Sequence, residues 1–280
     1  MSSEEAKYDY VVLTRGEAER ERLNRQFWFY KKFHGRDLII DSRVTVPFDG
    51  AVLDSATGSG AWVFALANEL PSTVSLHAVD LAPALWISKG VPPNVHYTVS
   101  SVTSLPKDWD AKFDLVNQAL LSTSLKEADW SVNISELYRV TKPGGHIQLV
   151  ESIGMGEKPP SDQAGSILWE VFVRMRANSG FLDSAFSQVP PMLEEAGFCE
   201  VSVQKKPAPR FGINSGEEVL DIMKRALAAT KEFVVSNDFF GVVKDEKEYD
   251  ALLERHFKET AEQCLPVGLE MCLICAKKPA

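Results

Sequence analysis

Val52-Leu53-Asp54-Ser55-Ala56-Thr57-Gly58-Ser59-Gly60 is an apolar run that ends in an acid and passes into a turn of small residues with two glycines. Ala61-Trp62-Val63-Phe64-Ala65-Leu66-Ala67 follows and reads as a helix. Strand, acid, glycine-rich turn and helix together lay out a site for a nucleotide-type ligand. Glycine lets the backbone approach a ligand closely, and a helix start presents unbonded N–H groups to it. A second apolar run, Val74-Ser75-Leu76-His77-Ala78-Val79, ends in Asp80. An acid roughly 20 residues on, at the tip of the next strand, suits a pair of ribose hydroxyls.

The dinucleotide fingerprint places a third glycine three residues beyond the second. Val63 holds that position here, so a tight pyrophosphate-bearing turn is not expected. Asp54 stands just before the turn, where a carboxylate repels a pyrophosphate and attracts an ammonium. S-adenosylmethionine (SAM) carries an ammonium on its methionine end and has no phosphate. Charge therefore favours SAM over NAD or FAD.

Asp54-x-Ala56-x-Gly58-x-Gly60 resembles motif I of the class I SAM-dependent methyltransferases, with Ala56 where that family often has glycine. Asp80 resembles the family's ribose-binding acid. Ser101-Val102, after the run Val95-His96-Tyr97-Thr98-Val99, falls at its adenine contact, with Ser101 where Asp or Asn is common. Phe113-Asp114-Leu115-Val116-Asn117-Gln118 resembles the motif IV strand, and the segment from Glu136 through Lys142-Pro143-Gly144-Gly145 to Ile147 resembles the helix, turn and fifth strand that follow. Four outer segments, Glu21 to Gln26, Pro92 to Val95, Asp129-Trp130 and Pro191 to Phe198, are similar to fungal small-molecule methyltransferases of secondary metabolism. That group includes regulator-like members.

The resemblance implies an α/β fold: a Rossmann-like sheet of seven strands in the order 3-2-1-4-5-7-6, strand seven antiparallel, under a helical cap. It also implies that Asp54, Ala56, Thr57, Gly58, Ser59 and Gly60 hold the methionine end of the cofactor and Asp80 its ribose. Leu81, Ser101 and Val102 are then the adenine neighbours, and Asn117 and Gln118 end strand four beside the reactive centre.

A length of 280 residues fits one α/β domain with a cap, and an apolar fraction of 45% allows a sizeable core. The formal charge of −9 argues against nucleic acid as a partner, because phosphate binding needs a basic patch. No apolar run approaches the roughly 20 residues of a membrane span, and the acidic start Met1-Ser2-Ser3-Glu4-Glu5 is unlike a signal or transit peptide. A cytoplasmic protein is expected. Cys272-x-x-Cys275 reads as part of a final strand, where side chains three apart face opposite ways. No second Cys/His pair accompanies it, so no metal site is expected.

Thr14-Arg15-Gly16-Glu17 reads as a capping box for a helix running toward His34-Gly35, rich in aromatics. Strands are expected near 51–55, 74–79, 95–99, 113–117 and 146–151, then at 199–205 and 268–276. Helices are expected at 161–182, near 188–196, near 215–234 and near 246–263. A single domain over 1–280 results: a helical cap at 8–48, a cofactor-binding half at 49–152, and cap helices with the last two strands at 153–280. The helical additions leave from the ligand edge of the sheet, where caps exclude water and orient substrate.

Methyl transfer from a sulfonium is an in-line displacement in which the protein chiefly supplies alignment. A base is needed only when the acceptor is still protonated. His34, His256 and Glu151 are the candidate proton acceptors, with a solvated surface histidine the plainer reading of the first two. Phe27, Trp28, Tyr30, Trp169, Phe172 and Phe181 are candidates for an apolar acceptor pocket, and some of them must pack the cap. The expected activity is methylation of a small, apolar or aromatic natural-product-like acceptor, most often on oxygen. The alternatives are a SAM-binding regulator that works through a protein partner, and an NAD-dependent oxidoreductase.

Overall fold

β1 (Ala51–Ser55) is the pivot of the sheet. The computed structural model describes residues 16–34, 37–154, 156–267 and 270–280, apart from the side chain of residue 34. The expected cap residue Thr14 and the His34 imidazole lie outside the described residues. β1 runs parallel to β2 (Ser75–Asp80) on one side and to β4 (Phe113–Ala119) on the other, setting Asp54 opposite both Ala78 and Asn117. With β3 (Val95–Val99), β5 (Thr141–Ser152), β6 (Cys199–Lys206) and β7 (Met271–Lys277), the described residues form a seven-stranded sheet. Its order is β3-β2-β1-β4-β5-β7-β6, with β7 antiparallel to both neighbours.

The alternation of side chains along a strand sorts β1 between two cores. Val52 packs with Trp62, Val63 and Leu66, so α2 (Ala61–Ala67) covers that face. Leu53 packs with Val116, Ile134 and Leu149, under α3 (Glu127–Val140) and α5 (Ala185–Glu195). Both faces are covered, which is why the central strands read as nearly continuous apolar runs. Each fully buried Leu or Val contributes about 1.5–3 kcal/mol relative to exposure.

The remaining helices are α1 (Glu17–His34), α4 (Ala164–Ser179), α6 (Glu217–Ser236) and α7 (Glu246–Glu262). Phe29 and Tyr30 of α1 join Val219, Leu220 and Ile222 of α6 against Met271 and Leu273 of β7. Leu168 and Met175 of α4 pack with Tyr249 and Leu252 of α7. α1 and α6 therefore stand on the sheet, whereas α4 and α7 pack on each other and on the segment that follows α6. No helix among the described residues is long and apolar enough to cross a membrane.

α7 starts with a cap that sequence reading passed over. The Asp245 carboxylate accepts the Glu248 N–H at 2.9 Å, and Glu248 Oε2 accepts the Lys244 N–H at 2.8 Å. Asp245→Ala should lower stability by about 1 kcal/mol, read as a lower urea midpoint at unchanged slope. An unchanged midpoint would show that the cap contributes nothing.

Candidate active site

Beyond the carboxyl ends of β1 and β4, where the strand order reverses, the chain forms a half-open cavity of about 1280 Å³. Single-ligand sites span roughly 300–1,000 Å³, so this one has room for a cofactor and an acceptor together. Its sheet-side wall contains Asp54, Ala56, Thr57, Gly58 and Ser59, then Asp80, Leu81 and Val102, and Asn117 from β4.

Helix stripes, each at intervals of three or four residues, form much of the rest, with loop residues such as Lys158, Pro207 and Pro266 between them. α1 presents Glu19, Arg22, Leu23, Gln26, Phe27 and Tyr30. α4 presents Gly165, Leu168, Trp169, Phe172, Met175 and Arg176. Leu220, Met223, Leu227 and Thr230 come from α6, and His256, Phe257 and Thr260 from α7.

Backbone geometry explains the glycine-rich turn. Gly58 and Gly60 have φ of 56° and 86°, in the left-handed region. A Cβ at Gly60 would stand 2.5 Å from the Tyr97 hydroxyl, so only glycine fits there. Ala56 has φ of 57°, a conformation that favours glycine, which accounts for the residue common at this position in the resembled family.

A hydrogen-bonded chain of buried polar groups crosses the sheet behind the turn. Thr57 Oγ1 donates to Asp54 Oδ2 at 2.5 Å, and Asn117 Nδ2 donates to Asp54 Oδ1 at 2.7 Å. Gln148 Nε2 donates to Asn117 Oδ1 and to the Leu38 carbonyl, both at 2.8 Å. The Gln148 Oε1 accepts the Ile40 N–H at 2.9 Å, and the Trp62 indole N–H reaches the Leu38 carbonyl at 3.1 Å. The chain ties the segment after α1 to the acid of the turn, and Gln148 is a residue that sequence reading missed. Its signal was a lone amide inside the apolar run Ile147-Gln148-Leu149-Val150. Burial raises the pKa of Asp54 to about 7, against the lowering effect of its bonds from Thr57 and Asn117.

Asp80 is held by two backbone donors, Gly58 N–H to Oδ2 at 2.7 Å and Ala82 N–H to Oδ1 at 2.9 Å. It thereby braces the turn from the next strand. On α1, Arg22 and Glu19 are 6% and 5% exposed and form a two-point ion pair at 2.7 and 2.6 Å. The pair lies in the cavity wall; sequence reading had quoted the segment that holds Arg22 without selecting it, and had not reached Glu19.

Several expected site residues lie elsewhere. Trp28 is 53% exposed, on the outer side of α1. Phe181 is buried beyond the end of α4, bridged through its backbone to Lys126, and does not border the cavity. Ser101 points its hydroxyl at Thr103, and the neighbouring Ser100 and Val102 form the wall instead. Gln118 is fully buried against Ser55, because strand alternation sends it to the face opposite Asn117. Gly60 caps α2 beside the wall without being part of it.

Glu151 is also off the wall. Its carboxylate is fully buried and accepts the N–H groups of Leu121 at 3.0 Å and Ser122 at 2.9 Å, so it fixes the loop after β4. Burial raises its pKa to about 7. Of the two expected proton acceptors whose side chains are described, His256 reaches the cavity. Its Nδ1 is buried without a hydrogen-bond partner among the described residues, and burial lowers its pKa, against a smaller raising effect of Glu259.

The donor set fits SAM. A buried acid borders the cavity beside a glycine turn, a second acid braces that turn, and apolar Leu81 and Val102 lie next to it. A methyltransferase-domain family model matches residues 52–145. N-methyltransferase verN of Clonostachys rogersoniana is 30% identical over 209 residues, covering 72% of this chain and 69% of that one. N-methyltransferase sirN of Leptosphaeria maculans is 27% identical over 222 residues, covering 76% and 77%. Among solved structures, phosphoethanolamine N-methyltransferase 2 of Haemonchus contortus, in complex with SAM, shares the fold with a TM-score of 0.55 at 19% identity. That match covers 94% of this chain and 56% of the nematode chain, so this chain spans about half its length. The oxidoreductase alternative finds no support in these matches. The cofactor is SAM, and this chain belongs to the class I SAM-dependent methyltransferases.

Proposed function

We propose that the protein transfers the methyl group of SAM to a nitrogen of a small, largely apolar acceptor. The supporting observation is that one cavity joins the motif I turn to a helix-walled apolar chamber carrying His256. Both fungal relatives described above are named as N-methyltransferases, which moves the expectation from oxygen to nitrogen. Bound SAM supplies the electrophilic methyl carbon and a thioether leaving group.

Asp54 receives the cofactor's ammonium, and the Gly58 turn, braced by Asp80, gives it a close backbone floor. Leu81 and Val102 pack the adenine. Phe27, Tyr30, Trp169 and Phe172 line the acceptor side, where aromatic faces tolerate a cation and exclude water. A nitrogen attacks only through a free lone pair, so a protonated amine must first lose its proton. His256 is the base: a lowered pKa keeps it neutral near pH 7, with Nδ1 unpartnered.

The Asp54 assignment carries a pH signature. Its pKa of about 7 means that the free protein holds it protonated in mild acid, whereas an ammonium needs the carboxylate. SAM binding then expels a proton, and affinity falls up to about tenfold per pH unit below 7 while levelling off above it. Calorimetric titration across that range tests this, with Asp54→Asn expected to bind weakly and independently of pH. A pH-independent wild type would remove Asp54 from the ammonium site.

Turnover is tested by incubating the protein with SAM and a panel of amines, amides, phenols and carboxylic acids, and locating the new methyl by NMR. N-methyl products support the reading, and exclusively O-methyl products overturn it. SAM binding without any product would favour the regulator-like alternative.

A further inference from the structure

The cavity stripe of α4 is apolar until its last turn, where Arg176 interrupts it. Gly165, Leu168, Trp169, Phe172 and Met175 precede it on the same face. Arg176 is 4% exposed. One terminal nitrogen, Nη2, donates to the Leu182 carbonyl, and Nε has no hydrogen-bond partner among the described residues. No described carboxylate lies within ion-pair distance of it, although Asp183 and Glu151 are near enough to act through space. Desolvation outweighs both and lowers its pKa.

A buried guanidinium in this state is costly. Arginine carries five donors in a planar fork and stays charged, so burial without an anion leaves both charge and donors uncompensated. The same fold shows the contrasting solution at Arg22, equally buried in the cavity wall and bonded at two points to Glu19. Glu151 cannot move to serve Arg176 in that way, because both of its oxygens are held by the backbone N–H groups of Leu121 and Ser122.

We propose that Arg176 is a recognition site for a carboxylate on the methyl acceptor, placed at the end of the apolar α4 stripe. The inference rests on the acceptor-chamber reading above and narrows it: the acceptor has an apolar body that lies along Leu168, Phe172 and Met175, and a carboxylate at the Arg176 end. A carboxylate is the planar, two-oxygen partner that the guanidinium fork matches. The methionine carboxylate of SAM is a second possible source of that group. It belongs to the other end of the cavity in this assignment, near the Asp54 turn and the Glu19–Arg22 pair.

Equilibrium binding tests this separately from turnover. The protein saturated with S-adenosylhomocysteine is titrated with phenylacetate, 4-phenylbutyrate and indole-3-acetate, each against its primary amide. The expected result is that at least one carboxylate binds about tenfold or more tightly than its amide. That preference should be lost in Arg176→Met and partly kept in Arg176→Lys. S-adenosylhomocysteine affinity should match wild type in both variants, which also reports that they are folded. If Arg176→Met fails to fold, Arg176→Lys alone decides, since an ammonium loses the two-point geometry and should weaken the preference.

Equal binding of every carboxylate and its amide by the wild type overturns the proposal, as does a preference that survives in Arg176→Met. Loss of S-adenosylhomocysteine affinity in a folded Arg176 variant overturns it in favour of the cofactor's own carboxylate. Failure of N-methylation with the carboxylate preference intact would sink the nitrogen reading and leave the Arg176 site standing.

Discussion

Gly58→Arg abolishes SAM binding while the chain stays folded. Gly58 has φ of 56°, and a Cβ built there already meets Leu23 Cδ1 at 3.4 Å. A non-glycine residue in this region costs about 1–2 kcal/mol. Any side chain longer than Cβ must then enter the gap between the turn and α1. A guanidinium there also repels both positive groups of SAM. A loss of at least about 100-fold in affinity, near 2.7 kcal/mol, is expected. Turnover at ordinary SAM concentrations should disappear with it. The substitution faces the cavity, not the core, so far-UV circular dichroism should be unchanged. Calorimetry with SAM and S-adenosylhomocysteine is the check, and wild-type affinity in the variant would refute the site assignment.

His256→Gln lowers kcat by about 100-fold, at the lower end of what a positioned base contributes. The amide keeps polarity and much of the volume but cannot take a proton near neutrality. KM for the acceptor and affinity for SAM should change far less. In the wild type the neutral imidazole is the active form, so kcat falls as pH drops through its pKa. Burial lowers that pKa, which places the acid limb below the usual 6.5. The limb should vanish in His256→Gln. Asp54 titrates in a neighbouring range, so kcat must be measured at saturating SAM, where a weaker cofactor affinity no longer enters the rate. A variant with unchanged kcat and the same acid limb would exclude His256 as the base.

The acceptor-side predictions depend on residues far apart in the chain. Arg22, Arg176 and His256 belong to α1, α4 and α7, and no local spacing relates them. Each stripe was individually readable as an amphipathic helix face, yet periodicity cannot say whether a face meets the sheet, another helix or a cavity. Trp28 shows this plainly. It sits beside Phe27 in an aromatic run, and a rotation of one residue turns it into solvent while Phe27 borders the chamber. The helix breaks at Gly180, with φ of 68°, as its glycine implies, but only the fold shows that the chain then carries Phe181 away from the cavity. Glu151 sits at the correct end of β5, and the loop after β4 captures its carboxylate before any ligand can.

The cofactor half was legible because its determinants are local. Asp54, the two left-handed glycines and the start of α2 lie within eight residues of one another, and the backbone conformation of the turn follows from that short stretch. The order of the strands followed from the family likeness, and the apolar runs located most of them within a residue or two. The register shift between β4 and β5 at Phe113 and Leu115 had no such signal.

The sequence by itself determined the central strands, the glycine turn and the two acids, Asp54 and Asp80, that stand at its edge. Short-range sterics and electrostatics settle all of these within a few residues. Only the tertiary structure decided which helix faces line the chamber, that Gln148 links Asp54 to the segment after α1, and that Arg176 is buried without an ion-pair partner among the described residues. Gln148 meets Leu38 and Ile40 across more than a hundred residues of chain, and a desolvated charge exists only once the fold has removed the water around it.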